Sequence, residues 1–416
     1  MQNFLYNLGI KLYGFLILVA SLWIKKAKLW VNGRKNWNQN LKNHSDKVQN
    51  SVWFHAASTG EFEQAKPIIE WIKMNYPNQK IFVTFFSPSG YEIFKNYSLA
   101  DFISYLPLDT TQNAKEFLEI VQPQIAIFIK YEFWLNFLFE IKRKNIPCLL
   151  ICGIFRDDSP FFNGFLKSLY QNALKSYTHV FVQDKNSYQK IIKYLNPLNV
   201  TISGDTRFDR VIKIRENWKP VYEIEQFLPK KPILMVGSSW LPDEIWIQKL
   251  MPLIPEWNFV MIPHEISDIH NQKLKELFKT ALFYSDIKKN PNLKVDRILV
   301  IDKIGWLSRL YYYADAVWIG GGFGAGIHNT LEAAVYGKPI LFGPNHKKFH
   351  EALGLIAVGA AFPVEKSTPP EKIVHFIKQN INFSIHASEK YVYENQGATK
   401  KITHWIKNNI LKENYY

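Results

Sequence analysis

SVWFHAASTGEFEQAKPIIEW, residues 51–71, contains the change of rhythm that decides the fold. Val52, Trp53, Phe54 and Ala56 form an apolar run of the length expected for a short buried strand. After Gly60 the apolar residues Phe62, Ala65, Ile68, Ile69 and Ile72 recur at spacings of three and four, which is one face of a helix. A strand that runs directly into a helix is the first half of a βα unit, and Ser58, Thr59 and Gly60 make its turn. Glu61 then falls in the first turn of the helix. Two readings of it stay open: an acid that complements the helix dipole, or a carboxylate presented at the sheet edge where open α/β folds bind their ligands.

The alternation continues outward from this unit. Strand-like runs occur at KIFVTFF (80–86), QIAIFIK (124–130), PCLLICGIF (147–155) and HVFVQD (179–184), with helical stretches at 111–121 and 133–144. Around 213–231 the rhythm breaks into a polar, charged connector. It restarts with PILMVGSSW (232–240), WNFVMIPHE (257–265), RILVIDKIG (297–305), DAVWIGGG (315–322) and PILFGP (339–344). Alternation of this kind predicts parallel sheets covered on both faces. A length of 416 residues suits two such domains. The expected architecture is α/β: two doubly wound, Rossmann-like domains facing a cleft, with an N-terminal membrane-anchor helix. The expected divisions are 1–28 for the anchor and its basic collar, 29–212 for the first domain, 213–394 for the second, and 395–416 for a basic C-terminal helix. That last helix is expected to cross back towards the first domain or the membrane.

Apolar residues at 47% and charged residues at 21% describe a globular chain without repeats. The two cysteines, Cys148 and Cys152, lie in an apolar run with no neighbouring histidine and read as core thiols of a reducing compartment. The net charge of +15 is uneven: residues 1–50 carry eight Lys or Arg against one acid, Asp46, a local +7. These charges surround the apolar run LYGFLILVASLWI (12–24), with Lys25, Lys26 and Lys28 directly after it. A secretory signal would carry its charge first and end in a small-residue cleavage site. The pattern reads instead as an uncleaved anchor with its basic segment on the cytoplasmic side. From Leu12 the run is about 20 Å long as a helix, too short to span. Counted from Phe4 it reaches spanning length, with Lys11 inside it, so spanning and interfacial placements are both open. Because the charge sits beside an apolar segment, anionic lipid is the expected partner and nucleic acid is not.

A second glycine turn lies in YADAVWIGGGFGAGIHNTLEAAVYGKPILFGP, residues 313–344. A strand ends in Gly320, Gly321 and Gly322, and a glycine-rich loop leads through His328 and Asn329 to a helix start at Thr330 and Leu331. Glycines let backbone approach a ligand closely, and free amides at a helix start favour an anion. Glu332 either reaches back to cap the helix or accepts hydrogen bonds from the hydroxyls of a ribose. GGFGAG is not a dinucleotide fingerprint, because it sits late in the chain with no partner acid about 20 residues on. Ser238 and Ser239 close another strand of this domain, and Pro263 with His264 closes a third. Three polar loops at three strand ends predict a nucleotide site. No Asp-x-Asp pair or histidine cluster has ligand spacing, so no metal and no cofactor are expected.

The chain resembles the 3-deoxy-D-manno-octulosonic acid (Kdo) transferases of lipopolysaccharide and lipid A synthesis. The resemblance is carried by the N-terminal anchor, HAASTGE (55–61), YEFWLNF (131–137), SGDTRFDR (203–210), IPHE (262–265) and GIHNTLEAAVYGKP (326–339). The long GGGFGAGIHN form resembles the version of the Bacteroidetes branch. The resemblance implies a GT-B glycosyltransferase fold and transfer of Kdo from a CMP-Kdo donor to a lipid A precursor, with inversion and without metal, at the cytoplasmic face of the inner membrane. It implies that Glu61 is the general base, ionised at neutral pH, and that Glu132 and Arg207 stabilise the transition state. It places the CMP moiety against Pro263 and His264, against Ile304, Gly305 and Trp306, and against Asn329 through Glu332. The sequence departs from the family pattern in four places. Lys130 and Leu135 replace an acid and a proline around Glu132, Arg207 stands for the commoner lysine, His264 and Glu265 for arginine and histidine, and Trp306 for glutamate. The rival readings are a UDP-sugar transferase or a sugar-nucleotide epimerase of the same fold, and a non-enzymatic basic protein that binds lipid or nucleic acid.

Overall fold

The computed structural model describes residues 1–228 and 232–411, without the side chains of 380–385. Contacts divide the chain into two compact units, one of residues 1–209 with the C-terminal segment from Gly397, the other Arg210–Gln396. The change of unit therefore falls three residues before the position expected from sequence. Pro229, Lys230 and Lys231, at the end of the expected connector, lie outside the described residues. So do the last five residues of the expected C-terminal helix.

The first unit is built on seven strands: β1 (Val52–Ala56), β2 (Ile81–Phe85), β3 (Phe102–Tyr105), β4 (Ile125–Ile129), β5 (Cys148–Gly153), β6 (His179–Val182) and β7 (Val200–Ile202). They lie in the order β3-β2-β1-β4-β5-β6-β7, and every pair is parallel. β1, β2, β4 and β5 are buried on both faces, which is why they read as continuous apolar runs instead of alternating ones. One layer of the core is aromatic. Trp53, Phe82, Phe117, Phe128 and Phe137 pack together with ring centroids 4.8–6.1 Å apart, and such rings add directional contacts to a large area removed from water.

The second unit repeats the plan with β8 (Ile233–Ser239), β9 (Asn258–Pro263), β10 (Leu282–Phe283), β11 (Ile298–Val300), β12 (Ala316–Ile319), β13 (Ile340–Phe342) and β14 (Ala361–Pro363). Their order is β10-β11-β9-β8-β12-β13-β14, again all parallel. In each sheet the chain starts centrally, works towards one edge, then returns to build the other. The order reverses between β1 and β4 in the first sheet and between β8 and β12 in the second. The backbone must open a crevice at the carboxyl ends of those two strand pairs.

One element differs from expectation, whereas the C-terminal helix, expected to return towards the first domain or the membrane, joins the first unit. The start of the supposed connector belongs to a helix, Thr206–Glu216, whose residues Phe208, Val211 and Ile212 are buried. Helix Ala398–Asn409 is part of the first unit's core, with Ile402 and Ile406 fully buried among the residues of β1, β2 and the helix Thr59–Asn75. Asp209 fixes its start by accepting hydrogen bonds from the Gly397 and Thr399 amides at 2.5 and 2.7 Å.

Candidate functional site

At the first switch point the loops after β1 and β4 carry the two acids. Glu61, in the first turn of Thr59–Asn75, is 5% exposed. Its Oε2 accepts the Ala57 amide at 2.6 Å, so it does complement its own turn. The expectation of a carboxylate kept ionised by the helix start is corrected here. Burial, joined by the charge of Glu132, pushes the Glu61 carboxyl well above the usual carboxylate range, and the amide bonds and Lys130 only partly oppose this. Glu132 is 8% exposed and raised in the same direction by burial. Two acids so placed share a site that disfavours two negative charges.

Glu132 is held from several sides. Its Oε2 accepts the Trp134 indole N–H at 2.6 Å and lies 3.5 Å from His55 Nε2, while the Tyr177 hydroxyl donates to its backbone carbonyl at 2.7 Å. His55 stands in β1 with Nδ1 2.9 Å from Thr84 Oγ1. Burial, with the charge of Arg34, pushes its pKa down to about 3, so the ring is neutral beside Glu132. Lys130 takes a left-handed backbone (φ 70°) at the end of β4. Such backbone strain concentrates at functional sites. Neither the place of His55 in the site nor the effect of Lys130 is legible in the sequence. The strand-internal position hides the histidine, whereas the charge change at Lys130 is visible without its consequence for Glu61.

Arg207 has a different surrounding from the one expected. Its Nε and Nη2 donate to Asp205 Oδ2 at 3.0 and 2.8 Å, and its amide donates to Oδ1. Burial works against the Asp205 charge, but Arg207 beside it and the hydrogen bonds it receives hold its carboxyl below the usual range. Gln64, three residues after Glu61, donates to the same carboxylate at 2.9 Å, and Thr206 Oγ1 donates to the Gln64 carbonyl at 2.6 Å. The SGDTRFD segment thus clamps the helix that carries Glu61. Ser58 and Thr59, half-buried, and the exposed Gly60 form the lip of that helix start.

In the second unit the loops after β8, β9 and β12 meet. Gly320 passes so close to Ser238 that a Cβ would lie 2.1 Å from its carbonyl oxygen, and Gly322 meets Gly343 in the same way at 2.5 Å. Asp243 accepts the Gly321 amide at 3.0 Å and the Trp318 indole N–H at 3.2 Å, which fixes the glycine turn to the helix after β8. Ser239 Oγ donates to the buried Glu244 at 2.8 Å, and His270 Nε2 lies 2.9 Å from the same oxygen. The Trp240 ring stacks on His264 at 4.8 Å, and His264 stacks on His328 at 4.3 Å. Burial lowers the pKa of both histidines, that of His328 to about 4. Pro263 ends β9 beside this stack.

The helix start expected at Thr330 is a single turn, Leu331–Ala334, ended by Gly337 with φ 74°. Asn329 Oδ1 takes the Leu331 amide at 3.1 Å and its Nδ2 donates to Glu332 Oε1 at 3.2 Å. Glu332 also lies near enough to Arg210 to favour its charge. Thr330 Oγ1 is buried with no hydrogen-bond partner among the described residues. Of the third expected loop, Ile304 is exposed, Gly305 takes φ 97°, and Trp306 is buried against Tyr284 with Lys303 Nζ 3.8 Å from its ring centre. Among the described residues no three or more His, Cys, Asp or Glu side chains gather as metal ligands.

Two doubly wound units of parallel strands define the GT-B fold. The fold is shared with the solved UDP-GlcNAc 2-epimerase of Neisseria meningitidis (TM-score 0.61, 15% identity, 86% of this chain and 100% of that one). It is shared also with MurG of Acinetobacter baumannii (TM-score 0.53, 15% identity, 86% and 100%). Residues 35–210 match the 3-deoxy-D-manno-octulosonic-acid transferase (Kdo transferase) family. It is 26% identical over 83% of its length to the 3-deoxy-D-manno-octulosonic acid transferase of Chlamydophila psittaci, covering 80% of that protein. It is 24% identical to the enzyme of the same name from Haemophilus influenzae, over 86% of each chain.

Proposed function

We propose that this protein transfers Kdo from CMP-Kdo to a lipid A precursor at the cytoplasmic face of the inner membrane, with inversion and without a metal. The first unit takes the acceptor and the second the donor. The observation that carries the reading is the buried Glu61–Glu132 pair at the switch point of the first sheet. A carboxylate whose pKa is raised is a stronger base than an exposed one, and a positioned base contributes about 10² to 10⁴-fold. Glu61 accepts the proton of the acceptor hydroxyl as its oxygen bonds to the anomeric carbon. The bond from that carbon to the phosphate oxygen breaks in the same event, and CMP leaves with the electron pair. Glu132, fixed by Trp134 and facing the neutral His55, sets the basicity of Glu61. Lys130 favours the ionised form.

On the donor side, Ser238, Gly322, His264, His328, Asn329, Thr330 and Glu332 surround the nucleotide, and the unpartnered Thr330 hydroxyl supports this. Arg207 acts through Asp205 and Gln64, by holding the helix of Glu61 in place. The apolar helix Gln2–Ala20 and the lysines after it attach the enzyme to anionic lipid.

The test is transfer from freshly generated CMP-Kdo to a lipid A precursor in the presence of chelator, with the product read by mass. Wild type should add Kdo mass in chelator, and Glu61→Gln, still folded, should lose at least about 10²-fold in rate. A Glu61→Gln enzyme of near wild-type rate would remove the base assignment. Transfer from a UDP-sugar and not from CMP-Kdo would replace the donor.

A further inference from the structure

The N-terminal helix Gln2–Ala20 does not project from the first unit. Gln2 Nε2 donates to the Phe165 carbonyl at 2.9 Å, and the Tyr6 hydroxyl donates to the buried Asp109 at 2.5 Å. At Gly14 the helix lies so near that a Cβ would sit 2.7 Å from Leu108. Gln2, Tyr6, Ile10, Gly14, Ile17 and Ala20 are half-buried, recur every three or four residues and, with Asn7 beside Tyr6, form one stripe against the unit along the helix's length. Phe4, Leu8, Leu12, Phe15 and Leu16 stand exposed on the remaining faces. A helix held to its own domain along one stripe and mostly apolar on the others, with Lys11 exposed among them, is suited to lie in a membrane interface.

Behind this helix is a pocket of about 490 Å³, within the usual range for ligand sites. Tyr6 and Ile10 of the helix form one wall, and Phe133, Trp134, Phe155 and Phe161 form much of the rest. Glu132 lines the same space. A cavity walled on one side by this apolar helix and mainly apolar in its lining, which Glu132, Arg156 and Asp158 also reach, fits a molecule with a hydrocarbon part and a polar end. We infer that this pocket holds one acyl chain of the lipid acceptor, with the N-terminal helix as its wall, so that anchor and acceptor site are a single structure. The inference rests on the proposed reading that the acceptor is an acylated lipid. Seating a chain here directs the head group of the same molecule towards Glu132, and so towards Glu61.

The test uses the full-length protein in mixed micelles with an acylated acceptor and its deacylated counterpart, at saturating CMP-Kdo. Wild type should favour the acylated acceptor in kcat/KM by at least about tenfold, roughly what burial of two methylenes supplies. Ile10→Trp, and the milder Ile10→Phe, fill the pocket. Each should bring that ratio towards one through a rise in KM for the acylated acceptor. An equal preference in wild type, or a ratio untouched by both variants, would overturn the inference. A second readout does not depend on turnover: a lauroyl chain bearing a diazirine, photolysed with the protein, should label peptides containing Ile10, Phe155 or Phe161, and Ile10→Trp should suppress the label. If wild type transfers nothing but the label appears, the function is wrong and the pocket stands. If transfer occurs but the label is absent or lies elsewhere, the pocket is wrong and the function stands.

Discussion

At the scale of single residues the site is defined by acids kept where charge is disfavoured. Burial raises the carboxyls of both Glu61 and Glu132, and Glu132 adds its charge to the effect on Glu61. Folding therefore favours their protonated forms. Their contribution to stability is full below the unfolded value of about 4.3, and it is lost as pH rises through the raised folded values. Glu61→Gln or Glu132→Gln removes a group that is strained when charged. Each variant should melt higher than wild type at about pH 9, with the margin shrinking by about pH 4, where all three are neutral. Thermal melts across that range check the sign, and a margin that instead grows in acid would contradict the assignment of burial as the dominant cause. In the proposed mechanism activity has the opposite trend, because a base must be ionised to work. The acidic limb of kcat/KM should therefore lie above the usual carboxylate range and move down in Glu132→Gln, where the neighbouring negative charge is gone. Loss of activity and gain of stability in one variant is the signature of a group held for function.

At the scale of elements, the helix Ala398–Asn409 returns to the first unit and contributes Ile402 and Ile406 to its core. Trp405 packs on His179 at 5.1 Å, and Tyr76 donates to the Leu411 carbonyl at 3.0 Å. Asp209 joins the unit boundary to this helix by capping its first amides, so Asp209→Ala should cost about 1–2 kcal/mol, read as a shift in urea midpoint at constant slope. A shift much below that would mean the packing of Ile402 and Ile406 holds the helix without its cap. Much of this plan was legible in the chain. The strand of Val52–Ala56, the helix of 111–121 and the turn that bears Glu61 follow from apolar periodicity, because parallel strands buried on both faces leave continuous apolar runs. Thr206–Glu216 was hidden because its buried residues Phe208, Val211 and Ile212 are interleaved with charges that resemble a linker. Strand order has no local signature, so the meeting of Glu61 with Glu132, and of His264 with His328, emerged only with the sheets. His55 was illegible for a related reason: a histidine inside a strand has its partners on neighbouring strands and loops, at Thr84 and Glu132.

At the scale of the whole molecule, the first 28 residues belong to the first unit and, in the proposed reading, attach it to the membrane. Removing them takes away an apolar helix and the exposed Lys25, Lys26 and Lys28. It also breaks the Tyr6–Asp109 bond, leaving a buried carboxylate that still receives the Asn136 and Phe137 amides but has lost a hydroxyl donor. The truncated protein should bind anionic vesicles far less and lose thermal stability in its first unit. Its affinity for CMP, which the proposed reading assigns to Arg210–Gln396, should stay near that of wild type. An equal loss of vesicle binding and CMP affinity would argue against this separation of roles. The lysines can be tested apart from the helix. Basic side chains near an anionic leaflet contribute about 1 kcal/mol each, so changing the three to Gln should weaken binding to anionic vesicles by roughly 10²-fold at low salt and do little with neutral vesicles. Added salt screens the lysines and leaves the apolar face untouched. Wild type should therefore fall with salt only as far as the triple variant and then level off. A fall that continues to zero would mean that charge alone holds the enzyme to the membrane. A plateau would mean that Phe4, Leu8, Leu12, Phe15 and Leu16 supply the remaining attachment from the outer faces of a helix whose inner face is already committed to the fold.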